Sequence, residues 1–379
     1  MNYNICVTTA FGVEGVTKRE LSKLGYENIP AKNGMFSFFG SALDVARCNM
    51  FLRTAERVYV KLAEFPCISF DELFENVAKI DWNYYVDFNG VILVNGKCVN
   101  SVIYGVSACQ SIVKKAIVVA MCKGKKTTVL PETAERYKVE FSIVDDIASI
   151  YLDTSGAGLH KRGYRELVGE ASIKETLAAA IIQLSVYNPE KEFADPFCGS
   201  GTFPIEACSY ALNIAAGINR QFDYSSWKTF DKNAYKIAYE EAKDGEIRDK
   251  NVKISGFDID PNAIKLSIHH AEKAGVREYV HFQQRNALEF SSRKSYGVIC
   301  TNPPYGERLS NEKDVAKLMK NFSNTFFGLR DWSLYLITAL PNFEYAFGKK
   351  SDKNRKLYNG KIECRLYQYL GKKPPKKND

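Results

Sequence analysis

The sequence predicts an α/β protein whose larger, C-terminal part holds a mostly parallel sheet covered by helices on both faces. Three observations carry this expectation. From Glu192 onward, five short extended runs alternate with helical stretches, the pattern of consecutive βα units. A turn with two glycines, Asp195-Pro196-Phe197-Cys198-Gly199-Ser200-Gly201-Thr202, follows the first run and opens a helix. A hydrophobic content of 45% over 379 residues supplies a sizeable core, and at about 150 residues per domain the chain holds two or three domains.

The elements follow in order. Up to about Arg57 the chain reads strand (Tyr3 to Thr8), helix (Gly12 to Leu24), short aromatic strand (Gly34 to Phe39) and helix (Leu43 to Phe51), a small α+β unit. A second unit runs from Val58 to about Ile150, with strands at Val58 to Phe65 and Val91 to Val94 and a helix at Phe70 to Ile80. Its second helix, Ser107 to Lys123, sets Ile112, Ala116, Val119 and Ala120 at helical spacing. Lys114 falls opposite that face and Lys115 on its flank. With Lys123, Lys125 and Lys126 this basic helix end suits phosphates, or is a solvated face. After Arg165 a third unit opens with a helix, Thr176 to Tyr187. The five extended runs are Glu192 to Ala194, Lys253 to Phe257, Val280 to Gln283, Tyr296 to Cys300 and Ser333 to Leu340. A last run, Lys361 to Leu370, has no helix after it and fits as an antiparallel insertion into the same sheet.

Composition removes several function classes. No stretch reaches the ~18 uninterrupted apolar residues of a membrane span, and the first residues lack the layout of a signal peptide. A cytoplasmic protein with no membrane partner is expected. Ten cysteines are present without a C-x-x-C pair, and of four histidines two are adjacent, so reduced structural thiols and no metal are expected. The net charge of +8 equals the excess of eleven Lys and Arg over three acidic residues between Tyr345 and Asp379. That segment suits a polyanionic partner, although Lys372 to Lys377 reads equally as a solvated tail.

Chemistry concentrates at four strand ends, where open sheets of this type bind ligands. At the first, Gly199 and Gly201 let the backbone turn tightly and approach a ligand closely. Pro204 replaces the third glycine of the dinucleotide fingerprint, so a ligand without phosphates fits better. At the second, Gly256-Phe257-Asp258-Ile259-Asp260-Pro261, Asp260 is placed as an N-cap before Pro261, which frees Asp258 for ribose hydroxyls or leaves it a turn residue. At the third, Arg285-Asn286-Ala287, Asn286 is either a partner for the amino group of an adenine or a turn former. The fourth, Thr301-Asn302-Pro303-Pro304-Tyr305-Gly306, is the sharpest signal. Two prolines fix the backbone. The Asn302 side chain and the Pro303 carbonyl supply two acceptors, and Tyr305 offers a stacking face. An exocyclic base amine is a poor nucleophile because its lone pair is delocalised into the ring. Two acceptors on its N–H groups favour a pyramidal nitrogen.

Together these motifs resemble those of amino-methyltransferases that use S-adenosylmethionine (SAM). The whole chain is similar to the bacterial THUMP-domain 23S ribosomal RNA guanine-N2 methyltransferases of the RlmL type, with a single methyltransferase domain. Further stretches carry the resemblance: Leu152 to Gly156, Leu159 to Arg165, Lys174 to Ala178, Ala216 to Arg220 before Trp227, and Lys356 to Cys364. The resemblance implies a ferredoxin-like unit at 1–57, a THUMP domain for RNA at 58–160 and a Rossmann-like methyltransferase domain at 161–379. It implies that Asp195, Phe197, Cys198, Gly199, Ser200, Gly201 and Thr202 line the methionine end of SAM. Asp258 and Ile259 would serve the ribose, Asn286 and Ala287 the adenine, and Asn302, Pro303, Pro304 and Tyr305 the target base. RNA contacts are implied at Lys114, Lys115, Lys161, Arg162 and Arg165. Many such enzymes carry Asp where Asn286 stands. The same turn chemistry serves adenine N6, cytosine N4 and protein glutamine; a DNA adenine methylase and a non-catalytic RNA assembly factor are the competing readings.

Overall fold

The computed structural model describes residues 2–165, 172–304 and 312–375. The chain forms two compact units. One comprises Met1–Thr8, Leu21–Leu159 and Arg220–Glu241; the other comprises Thr9–Glu20, His160–Asn219 and Ala242–Asp379.

The first unit is built on a seven-stranded sheet. In chain order its elements are β1 (Tyr3–Thr9), α1 (Glu14–Lys23), β2 (Ala31–Lys32), β3 (Met35–Gly40), α2 (Ala42–Phe51), β4 (Ala55–Pro66), α3 (Phe70–Ala78), α4 (Trp82–Tyr85), β5 (Val91–Val99), α5 (Val106–Cys122), β6 (Arg136–Val144) and β7 (Ile147–Asp153). The strand order is β2-β3-β1-β4-β7-β6-β5. One sheet therefore runs through the expected boundary at residue 57, which falls inside β4. Strands β6 and β7 were not expected from the sequence. Their signal was present: Tyr137, Val139, Phe141 and Ile143 alternate and are all buried.

Helix α5 turns a different face inward from the one its spacing suggested. Its buried residues are Cys109, Val113, Ala116, Ile117, Met121 and Cys122, while Val119 is 48% exposed. The helix is apolar on more than one side, so periodicity alone could not choose among them. The change of face moves Lys114 to the sheet. Its Nζ donates to the Ile92 carbonyl at 2.6 Å and pairs with Glu132. Lys114 is thus a bracket between helix and strand rather than a free phosphate contact. Lys115 stays exposed, 6.0 Å from the centre of the Phe74 ring.

Residues 220–241 lie far along the chain yet pack with this first unit. The Trp227 ring stacks on Tyr137 at 4.8 Å and 19°, and its Nε1 donates to the Arg136 carbonyl at 2.8 Å. Arg220 donates to the carbonyls of Ser155, Ala157 and Gly158 at 3.0, 2.5 and 2.8 Å. Three carbonyls converge on one guanidinium, which satisfies groups that the end of β7 would otherwise leave buried and unpaired.

The second unit carries the parallel sheet. Its elements are α6 (Glu175–Leu184), β8 (Phe193–Asp195), α7 (Thr202–Ala211), α8 (Lys232–Asp244, begun in the first unit), β9 (Ile254–Asp258), α9 (Pro261–Lys273), β10 (Val280–Gln284), β11 (Val298–Thr301), α10 (Glu312–Phe327), β12 (Ser333–Thr338), α11 (Phe343–Phe347), β13 (Lys353–Asn359) and β14 (Ile362–Tyr369). The order is β10-β9-β8-β11-β12-β14-β13. The first five strands are parallel, and β14 enters antiparallel between β12 and β13. The last run is the expected antiparallel insertion; its partner β13 was not foreseen. Strand β9 has five residues and β8 only three, all of them buried, as a central parallel strand covered on both faces requires. Chain order reverses between β8 and β11, and α/β sheets open their ligand crevice at such a switch point.

Among the described residues no helix is long and apolar enough to cross a membrane, and no cluster of His, Cys, Asp or Glu could hold a metal ion. All ten cysteines are free thiols.

Trp227→Ala removes a fully buried ring and leaves the Arg136 carbonyl without its donor. A loss of about 3–5 kcal/mol of stability is expected, measured by urea unfolding with fluorescence from the remaining aromatic residues.

Candidate functional site

The carboxyl ends of β8, β9, β10 and β11 meet around one cavity of about 770 Å³. Each end carries a residue type suited to its position. Strand β8 ends on Asp195, whose side chain is buried. Thr301, at the end of neighbouring β11, donates its hydroxyl to Asp195 Oδ1 at 2.6 Å, and the Phe197 N–H donates to the same oxygen at 3.1 Å. Burial pushes the Asp195 carboxyl up to about 7, against the lowering effect of these two hydrogen bonds, and Asp258 nearby adds to the rise.

The glycine turn then folds over the strand ends. Gly199 has φ +50° and Gly201 φ +84°. At Gly201 a Cβ would lie 3.0 Å from Ser267 Cβ and 3.2 Å from the Phe282 ring. Helix α9 and β10 therefore require glycine there as much as the backbone angle does. The Gly199 N–H donates to Asp258 Oδ2 at 2.9 Å, and the Asp260 N–H donates to Asp258 Oδ1 at 3.0 Å. Both oxygens are thereby oriented, each with a lone pair left for a ligand hydroxyl. Asp260 caps α9 through the Asn262 N–H at 2.8 Å, with Pro261 at the first helical position, as expected.

Asn286 Oδ1 accepts from the Leu288 N–H at 3.0 Å and so caps the short turn 287–289. The turn-former and ligand readings of Asn286 are compatible: the carbonyl oxygen holds the turn, and the residue still lines the cavity. Asn302 differs. Its Oδ1 is buried and has no hydrogen-bond partner among the described residues. A buried carbonyl without a donor costs about 1–3 kcal/mol, and this one lies on the wall of the cavity.

The structure brings together most of the residues singled out from the sequence. Phe197, Gly199, Ser200, Asp258, Ile259, Asn286, Ala287, Asn302 and Pro304 all line the cavity. Asp195, Cys198 and Thr202 line an adjoining recess of about 30 Å³ that shares Phe197, Gly199, Ser200 and Asn302. Gly201 and Pro303 line neither and act on the backbone. Tyr305 lies outside the described residues. Sequence reasoning missed the apolar wall of Leu266, Leu288 and Leu318, and it missed Ser172. Leu266 could have been found from its place one turn and a half into α9; Ser172 carries no local signal. Another hollow, of about 680 Å³, opens at the opposite ends of these strands and contains none of the expected site residues.

Two expected RNA contacts are corrected. Arg162 is buried, its Nε 3.5 Å from Glu206 Oε1, which also accepts from the Tyr164 hydroxyl at 3.1 Å. Arg165 pairs with Glu175 at 3.0 Å and donates to the Ile173 carbonyl at 3.0 Å. Both guanidiniums neutralise carboxylates inside the second unit and cannot reach a phosphate without breaking a buried pair. Lys161 remains exposed.

The fit to SAM follows from the groups themselves. The cavity is large enough for a nucleoside, the Asp258 oxygens would accept from a diol, and the Asp195 carboxyl beside the recess would meet an ammonium. Asp195 also sets a pH dependence. Its carboxyl is raised from 3.8 to about 7, so the folded state holds the proton more tightly than the unfolded state. Its stabilising contribution is complete below about pH 4 and lost as the pH rises through about 7. Asp195→Asn should therefore exceed the wild type in stability at pH 8 by roughly 2–4 kcal/mol, with the difference vanishing near pH 4, as read by urea unfolding at the two pH values.

Comparison with known proteins identifies the family. Residues 162–368 match the family model described as "RMKL-like, methyltransferase domain". Residues 4–59 match the RlmL ferredoxin-like domain, and residues 67–153 match the THUMP domain. The Bacillus subtilis (strain 168) protein named "Putative RNA methyltransferase YpsC" is 43% identical over 99% of this chain and 98% of its own length. The ribosomal RNA large subunit methyltransferase K/L of Psychromonas ingrahamii is 32% identical over 96% of this chain, which spans about half (49%) of that protein. Among solved structures, SMU.472 in complex with SAH is 39% identical, with a TM-score of 0.92 and 99% of each chain covered. With more than half of its length matched by the methyltransferase model, preceded by a ferredoxin-like and a THUMP segment, the chain belongs to the RMKL-like methyltransferase family.

Proposed function

We propose that the protein transfers the methyl group of SAM to an exocyclic base amine in RNA, with guanine N2 of 23S ribosomal RNA as the target. The single observation that carries the chemistry is the buried Oδ1 of Asn302, without a hydrogen-bond partner among the described residues, at the junction of cavity and recess. RNA as the substrate class is supported by the THUMP segment and by the names of YpsC and the K/L enzyme. Guanine N2 is supported by the family resemblance of the motifs.

When bound, SAM supplies an electrophilic methyl group on a sulfonium. Asp195 meets its ammonium, which offsets the cost of ionising a buried carboxyl. Asp258 takes the ribose hydroxyls, and Asn286 and Ala287 border the adenine. Asn302 Oδ1 and the Pro303 carbonyl accept the two N–H groups of the target amine and aim its lone pair. Pro303 and Pro304 keep these acceptors fixed, so little reorganisation is required. After transfer the amine nitrogen is cationic and loses one proton to water. The base must leave its stack to enter the cavity.

The test uses methyl-labelled SAM, protein-free 23S ribosomal RNA from cells lacking this gene, and duplex DNA in parallel, followed by digestion to nucleosides. Label in N2-methylguanosine is the expected result. Label in N6-methyladenosine would overturn the guanine assignment and keep the amine chemistry; label in the DNA alone would overturn the RNA reading. Asn302→Ala should lower the transfer rate at least about a hundredfold while SAM affinity, measured by calorimetry, stays within about twofold because the Asp195 and Asp258 contacts persist. A large loss of SAM affinity in that variant would sink the role given to Asn302.

A further inference from the structure

The β13–β14 hairpin carries Lys353, Arg355, Lys356, Lys361 and Arg365 against one acidic residue, Glu363. Its tip is pinned to the cavity wall. Asn359, buried, donates through Nδ2 to the Ser172 carbonyl at 3.4 Å and accepts through Oδ1 from the Lys174 N–H at 3.2 Å. Ser172 lines both the cavity and its recess. The hairpin tip is therefore only one residue contact from the rim.

On this hairpin stands Phe11, 62% exposed. A single exposed aromatic ring is ordinary on a protein surface. This one is held in place by its neighbours. Arg355 Nη1 donates to the Gly12 carbonyl at 2.9 Å. Gly12 has φ +82°, and a Cβ there would come within 2.8 Å of the Lys356 carbonyl, so the loop lies flat on β13. The Phe11 ring itself meets Tyr358 edge-on, at 6.0 Å and 75°. Cations flank the pair. Lys356 Nζ is 5.4 Å from the centre of the Tyr358 ring and 2.7 Å from Glu363 in an exposed ion pair, a pair weak enough for a phosphate to compete with. Lys361 is exposed at the turn.

A pre-ordered aromatic face beside lysines is what unpaired nucleotides take: bases stack without sequence preference, and phosphates meet the cations. A membrane surface would call for a broader apolar area, and an acidic peptide would leave the ring without a flat partner. We propose that Phe11 and the β13–β14 tip, with Lys356 and Lys361, form the seat for the unpaired RNA nucleotides that flank the target base. This assignment rests on the RNA reading given above. It places the strand beside the rim through which the target base must enter.

The full-length protein is titrated against a fluorescein-labelled, unstructured oligoribonucleotide, and anisotropy is read across a range of salt concentrations. Phe11→Ala should weaken binding about tenfold, and Phe11→Trp should retain it. Lys361→Glu should weaken binding and flatten its salt dependence. SAM affinity should be unchanged in all three variants. Equal binding by wild type, Phe11→Ala and Lys361→Glu would overturn the assignment. Methyl transfer to 23S RNA by the wild type separates the two readings. Transfer that persists while the variants bind normally removes only this seat; a wild type that neither binds nor methylates RNA removes both.

Discussion

The hydrogen bond from Thr301 to Asp195 is the joint on which the site depends. It crosses the point where strand order reverses, between β8 and β11, and it is only 2.6 Å long. Asp195 begins the glycine turn and Thr301 immediately precedes Asn302. One short bond between two side chains therefore fixes the start of the glycine turn relative to the start of the double-proline turn. Its environment is dry, so the bond is strong and the carboxyl is reluctant to ionise. The glycine turn adds its own tethers: Cys198 N–H to the Phe257 carbonyl at 2.8 Å, Gly199 N–H to Asp258, and the Ser267 hydroxyl to the Gly199 carbonyl at 2.7 Å. Three strand ends are laced through a loop of a few residues. Preorganisation of this kind suits a reaction in which positioning supplies most of the rate.

Around this joint the second unit uses charge sparingly and in pairs. Arg162 with Glu206 and Arg165 with Glu175 are buried, and each guanidinium faces a carboxylate contributed by α6 or α7. Such pairs add little net stability, yet removing one partner leaves a stranded charge. Arg165 also donates to the Ile173 carbonyl, and Asn359 bonds to the backbone of Ser172 and Lys174.

Much of the site was legible because its chemistry is local. A glycine at positive φ, a capping Asp before Pro261 and a double-proline turn each state their conformation within a few residues. The parallel sheet was legible from the alternation of strand and helix. What could not be read depends on distant partners. Arg162 and Arg165 look like surface cations until Glu206 and Glu175 are brought to them. Asn359 and Ser172 are nearly two hundred positions apart, and neither carries a pattern. Helix α5 failed for another reason: with Val113 and Ile117 on one side and Ile112 and Val119 on another, periodicity gives two answers, and the position of β5, where Ile92 is buried and its carbonyl takes Lys114, decides. Strands β6 and β7 were an omission, since their alternation was visible. The expected division at 57 met a continuous sheet, because β4 belongs to both halves of it.

The return of residues 220–241 to the first unit has a consequence for how the chain is made. A ribosome delivers the polypeptide from its N-terminus, and the last strand of the first sheet, β7, is complete at Asp153. Tyr137 then has no Trp227 to stack on, and the carbonyls of Ser155 to Gly158 have no Arg220. They wait while α6, β8 and α7, which belong to the other unit, are synthesised. The first unit begins the chain but is not complete until part of the second has been made. A nascent chain stalled before Arg220 would present an open aromatic face, and one released after Glu241 would have closed it.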